Sequence, residues 1–158
     1  MKNTSPDQPM EDLGTLGGSE STAFGINDNG QVVGYAYNSN PEWRAFLKNP
    51  GQPMQDLGDM GGALNTALGI NNEGRIVGVA TAADTSYRAF LWEQGIMYDL
   101  NNLTINLPPG VILNRAVAIN NQGWIVGDQH YPDGVRAFLL TPAPAGSVGR
   151  VPLELLLD

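Results

Sequence analysis

The chain has 158 residues, with 8 Lys plus Arg against 16 Asp plus Glu, a formal charge of −8, one histidine and no cysteine. The acid excess works against binding phosphate backbones and anionic membrane surfaces, and the lack of cysteine excludes disulfides and thiolate zinc sites. Twenty glycines and 11 prolines make about a fifth of the chain against roughly an eighth in average proteins, which argues against a helix bundle, and 42% apolar residues argue against a disordered acidic tail.

In chain order, 1–8 is expected to be a disordered N-terminus without the apolar run of a signal peptide. Four short strands follow at about 23–27, 31–37, 43–48 and 54–57, each rich in β-branched, aromatic or aliphatic residues and bounded by Gly, Pro or Asn. Asp28-Asn29-Gly30 and Pro50-Gly51 supply the turn chemistry of tight hairpins between them. The pattern then starts again. Ala23-Phe24-Gly25-Ile26-Asn27 recurs as Ala67-Leu68-Gly69-Ile70-Asn71 and as Ala116-Val117-Ala118-Ile119-Asn120. Gly30-Gln31-Val32-Val33-Gly34 recurs at Gly74 and Gly123, and Arg44-Ala45-Phe46-Leu47 recurs at Arg88 and Arg136. Met10, Asp12 and Leu13 recur at Met54 and at Met97. The first offset is 44 residues throughout, and the second is 43 to 49, because the third unit carries an insertion at about 104–111. The units run from about 9–52, 53–95 and 96–142, and 143–158 is a linker and tail that could supply a closing strand.

Each unit therefore reads as a four-stranded antiparallel meander, followed by a Gly-rich passage. Val32 and Val33 point to opposite sides of a strand, as do Ala45 and Phe46, and these positions stay apolar in every unit. A sheet apolar on both faces is sandwiched between neighbours. The expected fold is all-β, with three tandem β-propeller-like blades; a β-trefoil or a β-prism of threefold pseudo-symmetry is the alternative. Three blades are too few to close a ring of about 4–8, so a homo-oligomer is expected, two copies forming a six-bladed ring. The spacing pairs Arg44 with Asp56 and Arg88 with Asp99 across strands three and four. Arg136 and Asp12 are left over, so the segment around 10–13 is expected to complete the blade of Arg136, with Glu154 as a competing partner.

Chemistry-bearing motifs are few. Asn27-Asp28-Asn29-Gly30 has the look of a calcium loop, but a full loop needs further carboxylates, and hairpin turns account for it and for its copies. No other metal or cofactor is implied. His130 lies in a loop with no triad spacing to Ser21 or Ser147, and the Gly-Gly passages lack the Lys of a phosphate loop, so no catalytic residue is assigned. Trp43, Tyr87 and Tyr131 fall in or beside corresponding loops, near Tyr35 and Tyr37. An exposed ring beside Arg or Asn is a way to hold a sugar, and covering a strand edge is the other use of such rings.

The blocks Asp12–Gly18, Ala23–Gly34 and Ala45–Leu47, with their copies, resemble the HAF-repeat family of bacterial extracellular proteins over about residues 9–142. The resemblance implies an extracellular or cell-surface location. The histidine of that family's pattern is Arg44, Arg88 and Arg136 here, so a role resting on it does not carry over.

The expected function is a non-enzymatic β-repeat module that binds a partner, with a glycan as the candidate ligand, no nucleic acid and no membrane. Equal sites repeated along a chain suit binding, whereas catalysis needs one asymmetric group of residues. The alternatives are a hydrolase or lyase acting on polysaccharide and a purely structural spacer.

Overall fold

The computed structural model describes residues 10–143 and, for the backbone, 153–155. The expected disordered N-terminus at 1–8 and the rest of the tail lie outside the described residues. The described chain is nearly all β. The first meander is β1 (Gly17–Ile26), β2 (Val32–Asn38), β3 (Trp43–Lys48) and β4 (Met54–Asp56). The second is β5 (Gly61–Ile70), β6 (Ile76–Ala82), β7 (Tyr87–Glu93) and β8 (Ile96–Asp99). A single helical turn, α1 (Leu100–Leu103), and β9 (Thr104–Ile105) lead to β10 (Ile112–Ile119), β11 (Ile125–Tyr131), β12 (Gly134–Pro142) and β13 (Leu153–Leu155). No helix of the described residues is long and apolar enough to cross a membrane.

Pairing within each meander is antiparallel, and its register recurs: Gly34 faces Phe46, Gly78 faces Phe90 and Gly127 faces Phe138. The phenylalanine ring lies over the glycine of the neighbouring strand. A Cβ built on these glycines would stand 2.7–2.9 Å from the ring's Cε1 and 1.9–2.0 Å from the carbonyl oxygens of Thr22, Thr66 and Arg115. These glycines are therefore demanded by close strand approach at a bulge rather than by a turn. One parallel bridge, Trp43 to Leu64, joins the first meander to the second in an open sheet, and β10 to β13 with β9 form another.

The meanders stack. Val33, Ala45, Leu47 and Leu57 of the first pack on Ala67, Ile70, Ile76, Ala80, Phe90 and Trp92 of the second. Val77, Ala89 and Leu91 of the second, with Leu100, pack on Leu113, Ala116, Ile125, Phe138 and Leu140 of the third. A Phe or Leu side chain buried this way contributes roughly 1.5–3 kcal/mol. The second meander thus hides apolar residues on both sides. The expectation of two covered faces fails for the outward sides of the first and third, where Ile26 and Val126 are exposed because nothing described lies beyond them.

The turns are tied by asparagine. Asn27 Oδ1 accepts from the backbone N–H groups of Asn29 and Gln31, Asn71 Oδ1 from those of Glu73 and Arg75, and Asn120 Oδ1 from those of Gln122 and Trp124. Gly30, Gly74 and Gly123 then take φ of +73°, +78° and +80°, which glycine alone adopts freely. The same asparagines cross between meanders: Asn27 Nδ2 donates to Asn71 O at 2.9 Å and Asn71 Nδ2 to Asn120 O at 3.1 Å.

Three expected boundaries change. Residues 10–13 form no strand; the strand that pairs beyond β12 is β13, with Thr141 opposite Glu154. The Gly-rich passages are not links between meanders, because Gly17-Gly18 and Gly61-Gly62 open β1 and β5. The insertion of the third unit contains β9, which pairs in parallel with β13.

Candidate functional site

Arg44 and Arg88 keep the expected aspartates, Asp56 and Asp99, and each gains a second, whereas Arg136 takes another partner. Arg44 reaches Asp56 at 3.1 Å and Asp59 at 2.7 Å. Burial works against the charge on Arg44, but hydrogen bonds from it to Asp59 and Asp56 outweigh this, so its guanidinium is held above its ordinary value. The Asp59 carboxyl is held below the usual carboxylate range, first by Arg44 and then by the N–H of Gly61. Arg88 sits 3.7 Å from Asp84 and 4.0 Å from Asp99. The Asp84 carboxyl is likewise held low, by the hydroxyl and N–H of Ser86. Arg136 pairs with Asp133 at 2.8 Å, three residues away, and Asp12 meets no arginine among the described residues.

The three repeated aspartates share a different job. Asp12 Oδ1 accepts from Gly14 N at 2.9 Å, Asp56 Oδ1 from Gly58 N at 2.8 Å and Asp99 Oδ1 from Asn101 N at 2.8 Å. Each closes a local turn, the known habit of Asp before a Gly or Asn two residues on. The Asp-Leu-Gly spacing carried that signal. The would-be calcium loop is spent on the asparagine ladder, since Asp28 Oδ2 accepts from Asn72 Nδ2 at 2.7 Å and Asn29 Nδ2 donates to Asn72 O at 2.9 Å. Among the described residues, no three His, Asp or Glu side chains gather as a metal group.

The three aromatic candidates are not brought together. Trp43 opens β3, half-buried, with its ring stacked on Tyr35 at 4.7 Å between centroids and edge-on to Tyr37 at 5.9 Å. Its Nε1 is buried without a partner among the described residues. Tyr87 holds the same register position in β7, yet it is 51% exposed. Tyr131 ends β11 rather than opening a strand, and the Arg136 guanidinium lies 4.3 Å over its ring. Val135 takes the place equivalent to Trp43 and Tyr87.

Tyr87 faces a groove of ≈ 420 Å³ between the second and third meanders, with Val79, Asn114, Arg115, Asp128 and His130 around it. Arg115 Nε donates to Asp128 Oδ2 at 2.8 Å, so the two charges at the groove cancel. Asn114 Nδ2 reaches back to Tyr87 O at 3.4 Å, while its Oδ1 is buried and unpartnered among the described residues. His130, read as a solvated loop residue, lies instead within β11, opposite Val135, and stands exposed on this groove. A second cavity, ≈ 290 Å³, lies at the turn end of the same seam, with Arg75 bound to Glu93 at 2.7 Å over Leu91, Ile119 and Ile125.

No protein-family model, no curated protein and no solved structure matches this chain. The groove must therefore be read from its own chemistry. An exposed aromatic ring, an internally neutralised ion pair, an imidazole and a carboxamide offer one apolar plate and several hydrogen-bonding atoms.

Proposed function

We propose that the chain is a non-enzymatic binding module of the HAF-repeat type, built of three propeller-like blades and acting outside the cell, and that the groove at Tyr87 takes a neutral carbohydrate. The observation that carries this is the exposed Tyr87 ring beside the Arg115–Asp128 pair. Sugar C–H groups stack on such a ring while hydroxyls exchange hydrogen bonds with charged and amide side chains. A neutral sugar is favoured over an acidic one, because Asp128 already satisfies Arg115 and the whole chain carries −8. The three-blade reading is supported by the shared Gly–Phe register of the three meanders and by their face-to-face apolar packing.

The test is a titration with neutral and acidic oligosaccharides, followed by heteronuclear NMR. Shifts confined to the amides around Tyr87, Asn114 and Asp128 with neutral ligands are the expected result, and Tyr87→Ala should weaken binding roughly five- to tenfold. Reducing ends released from a polysaccharide, and lost in Asp128→Asn, would overturn the reading in favour of a hydrolase or lyase.

A further inference from the structure

The meanders meet through two unlike faces, and each kind is left open once. The face carrying Val33 in the first meander and Val77 in the second is covered by the following meander, and both valines are 0% exposed. Val126, their counterpart in the third, is 44% exposed, with Ala137 and Val117 exposed beside it. On the opposite face Ile70 is 8% exposed against the first meander, whereas its counterpart Ile26 is 69% exposed, with Ala23 exposed next to it. The two open surfaces are thus the two halves of a joint that the chain already makes twice internally.

The asparagine ladder ends in matching open valences. Asn71 O and Asn120 O each accept twice, once within their own turn and once from the preceding meander. Asn27 O accepts from Gly30 N alone among the described residues, and Asn120 Nδ2 donates to none of them. One end of the molecule lacks a donor and the other lacks an acceptor.

We propose that the outward face of the third meander docks on the outward face of the first meander of a second copy, and that the reverse contact closes a two-copy ring. Asn120 Nδ2 then donates to Asn27 O of the second copy, and the Asn121 N–H to its Asp28 carboxylate, continuing the steps from Asp28 to Asn72 and from Asn72 to Asn121. Unlike faces make a head-to-tail contact, which either closes or runs on as a filament. Closure at two copies rests on the propeller-type reading above, since six units fall within the roughly 4–8 blades of such rings. The docking itself rests only on the paired open faces.

Light scattering of the whole chain over a wide concentration range should give one mass, that of two chains. Val126→Asp and Ile26→Asp place a charge where the lone chain already exposes the side chain, and each should give the mass of one chain. Because the chain has no cysteine, Asp28→Cys and Asn121→Cys variants should form a disulfide-linked pair on oxidation when mixed, and neither should do so alone. That arm stands even if a charged variant misfolds. A single-chain mass at all concentrations, a mass that climbs with concentration, or self-linking of Asp28→Cys would each overturn the proposal. Glycan titration of the Ile26→Asp variant keeps the two readings apart, because the Tyr87 groove is lined by the second and third meanders, away from Ile26.

Discussion

Asn71 uses both ends of its carboxamide: Oδ1 holds its own turn through the N–H groups of Glu73 and Arg75, and Nδ2 donates to Asn120 O at 3.1 Å in the next meander. It is also the acceptor, through its carbonyl, of Asn27 Nδ2 at 2.9 Å. One residue type thus shapes a hairpin and fastens it to its neighbour.

Asn71 is 2% exposed, and Asn71→Ala takes the side-chain acceptor from the Glu73 and Arg75 N–H groups and one of two donors from Asn120 O, which keeps Gly123 N. The expected cost is about 2–3 kcal/mol. Asn120→Ala should cost about 1 kcal/mol in an isolated single chain, because Asn120 Nδ2 fastens nothing among the described residues and the turn is exposed. Thermal melts of the two variants, made in the Val126→Asp background, should differ by several degrees.

Gly78→Ala should be among the most damaging small changes in the chain. The new methyl would fall 2.0 Å from Thr66 O and 2.7 Å from the Phe90 ring, and both strands would have to part. A loss above about 3 kcal/mol is expected, comparable with Phe90→Ala. Gly51→Ala, in open space at φ +68°, should cost about 1 kcal/mol. Urea unfolding midpoints would rank the three.

Acid should weaken the Arg44–Asp59 contact. The Asp59 carboxyl is more acidic folded than unfolded, so its stabilisation is complete above the ordinary value of 3.8 and fades as pH falls through the lower folded value. Asp59 is partly exposed, which limits the contact to about 0.5 kcal/mol. Asp59→Asn should therefore be slightly less stable than the parent at pH 7, and the gap should start to narrow below about pH 4 and close once the pH is under the folded value. Denaturant midpoints measured from pH 7 to pH 2 would test the direction.

Trp43 and Tyr87 share a register position but not a surroundings. Trp43→Phe removes a buried N–H that has no partner among the described residues, so the lost ring area is partly offset and the net cost should stay within about 1 kcal/mol. It should leave oligosaccharide titration curves unchanged, whereas Tyr87→Ala should alter them while barely moving the melting temperature.

Much of the backbone was legible in the sequence, because strand and turn chemistry act locally: the Asn-x-x-Gly turns and the apolar positions around Val32 and Phe46 foretold the hairpins and their pairing. What recurrence could not convey was the partner. Asp56 and Asp99 do meet Arg44 and Arg88 as their spacing suggests, but Asp12 meets no arginine among the described residues, and the contact that all three share is a backbone N–H two residues on. Asn27 and Asn71 read as turn formers, and the use of Nδ2 across meanders depends on stacking that no single strand encodes. Tyr131 resembled Tyr87 in loop position, but the short β11–β12 turn puts Val135 in that register instead. The tail was open in the sequence as a closing strand, and β13 does pair with β12, but three residues of a leucine-rich tail carry too little pattern to choose it over the segment around 10–13.

Asn29-Gly30 gives the first turn a property that Glu73-Gly74 and Gln122-Gly123 lack. In a loose chain the glycine nitrogen attacks the preceding carboxamide carbon and expels ammonia, and water then opens the resulting succinimide to aspartate or isoaspartate. Here Gly30 N donates to Asn27 O at 3.0 Å and Asn29 Nδ2 is engaged by Asn72 O, so nucleophile and target are both restrained. Slow deamidation at Asn29 therefore records time spent with this hairpin open, a chemical clock that runs only while the turn is undone.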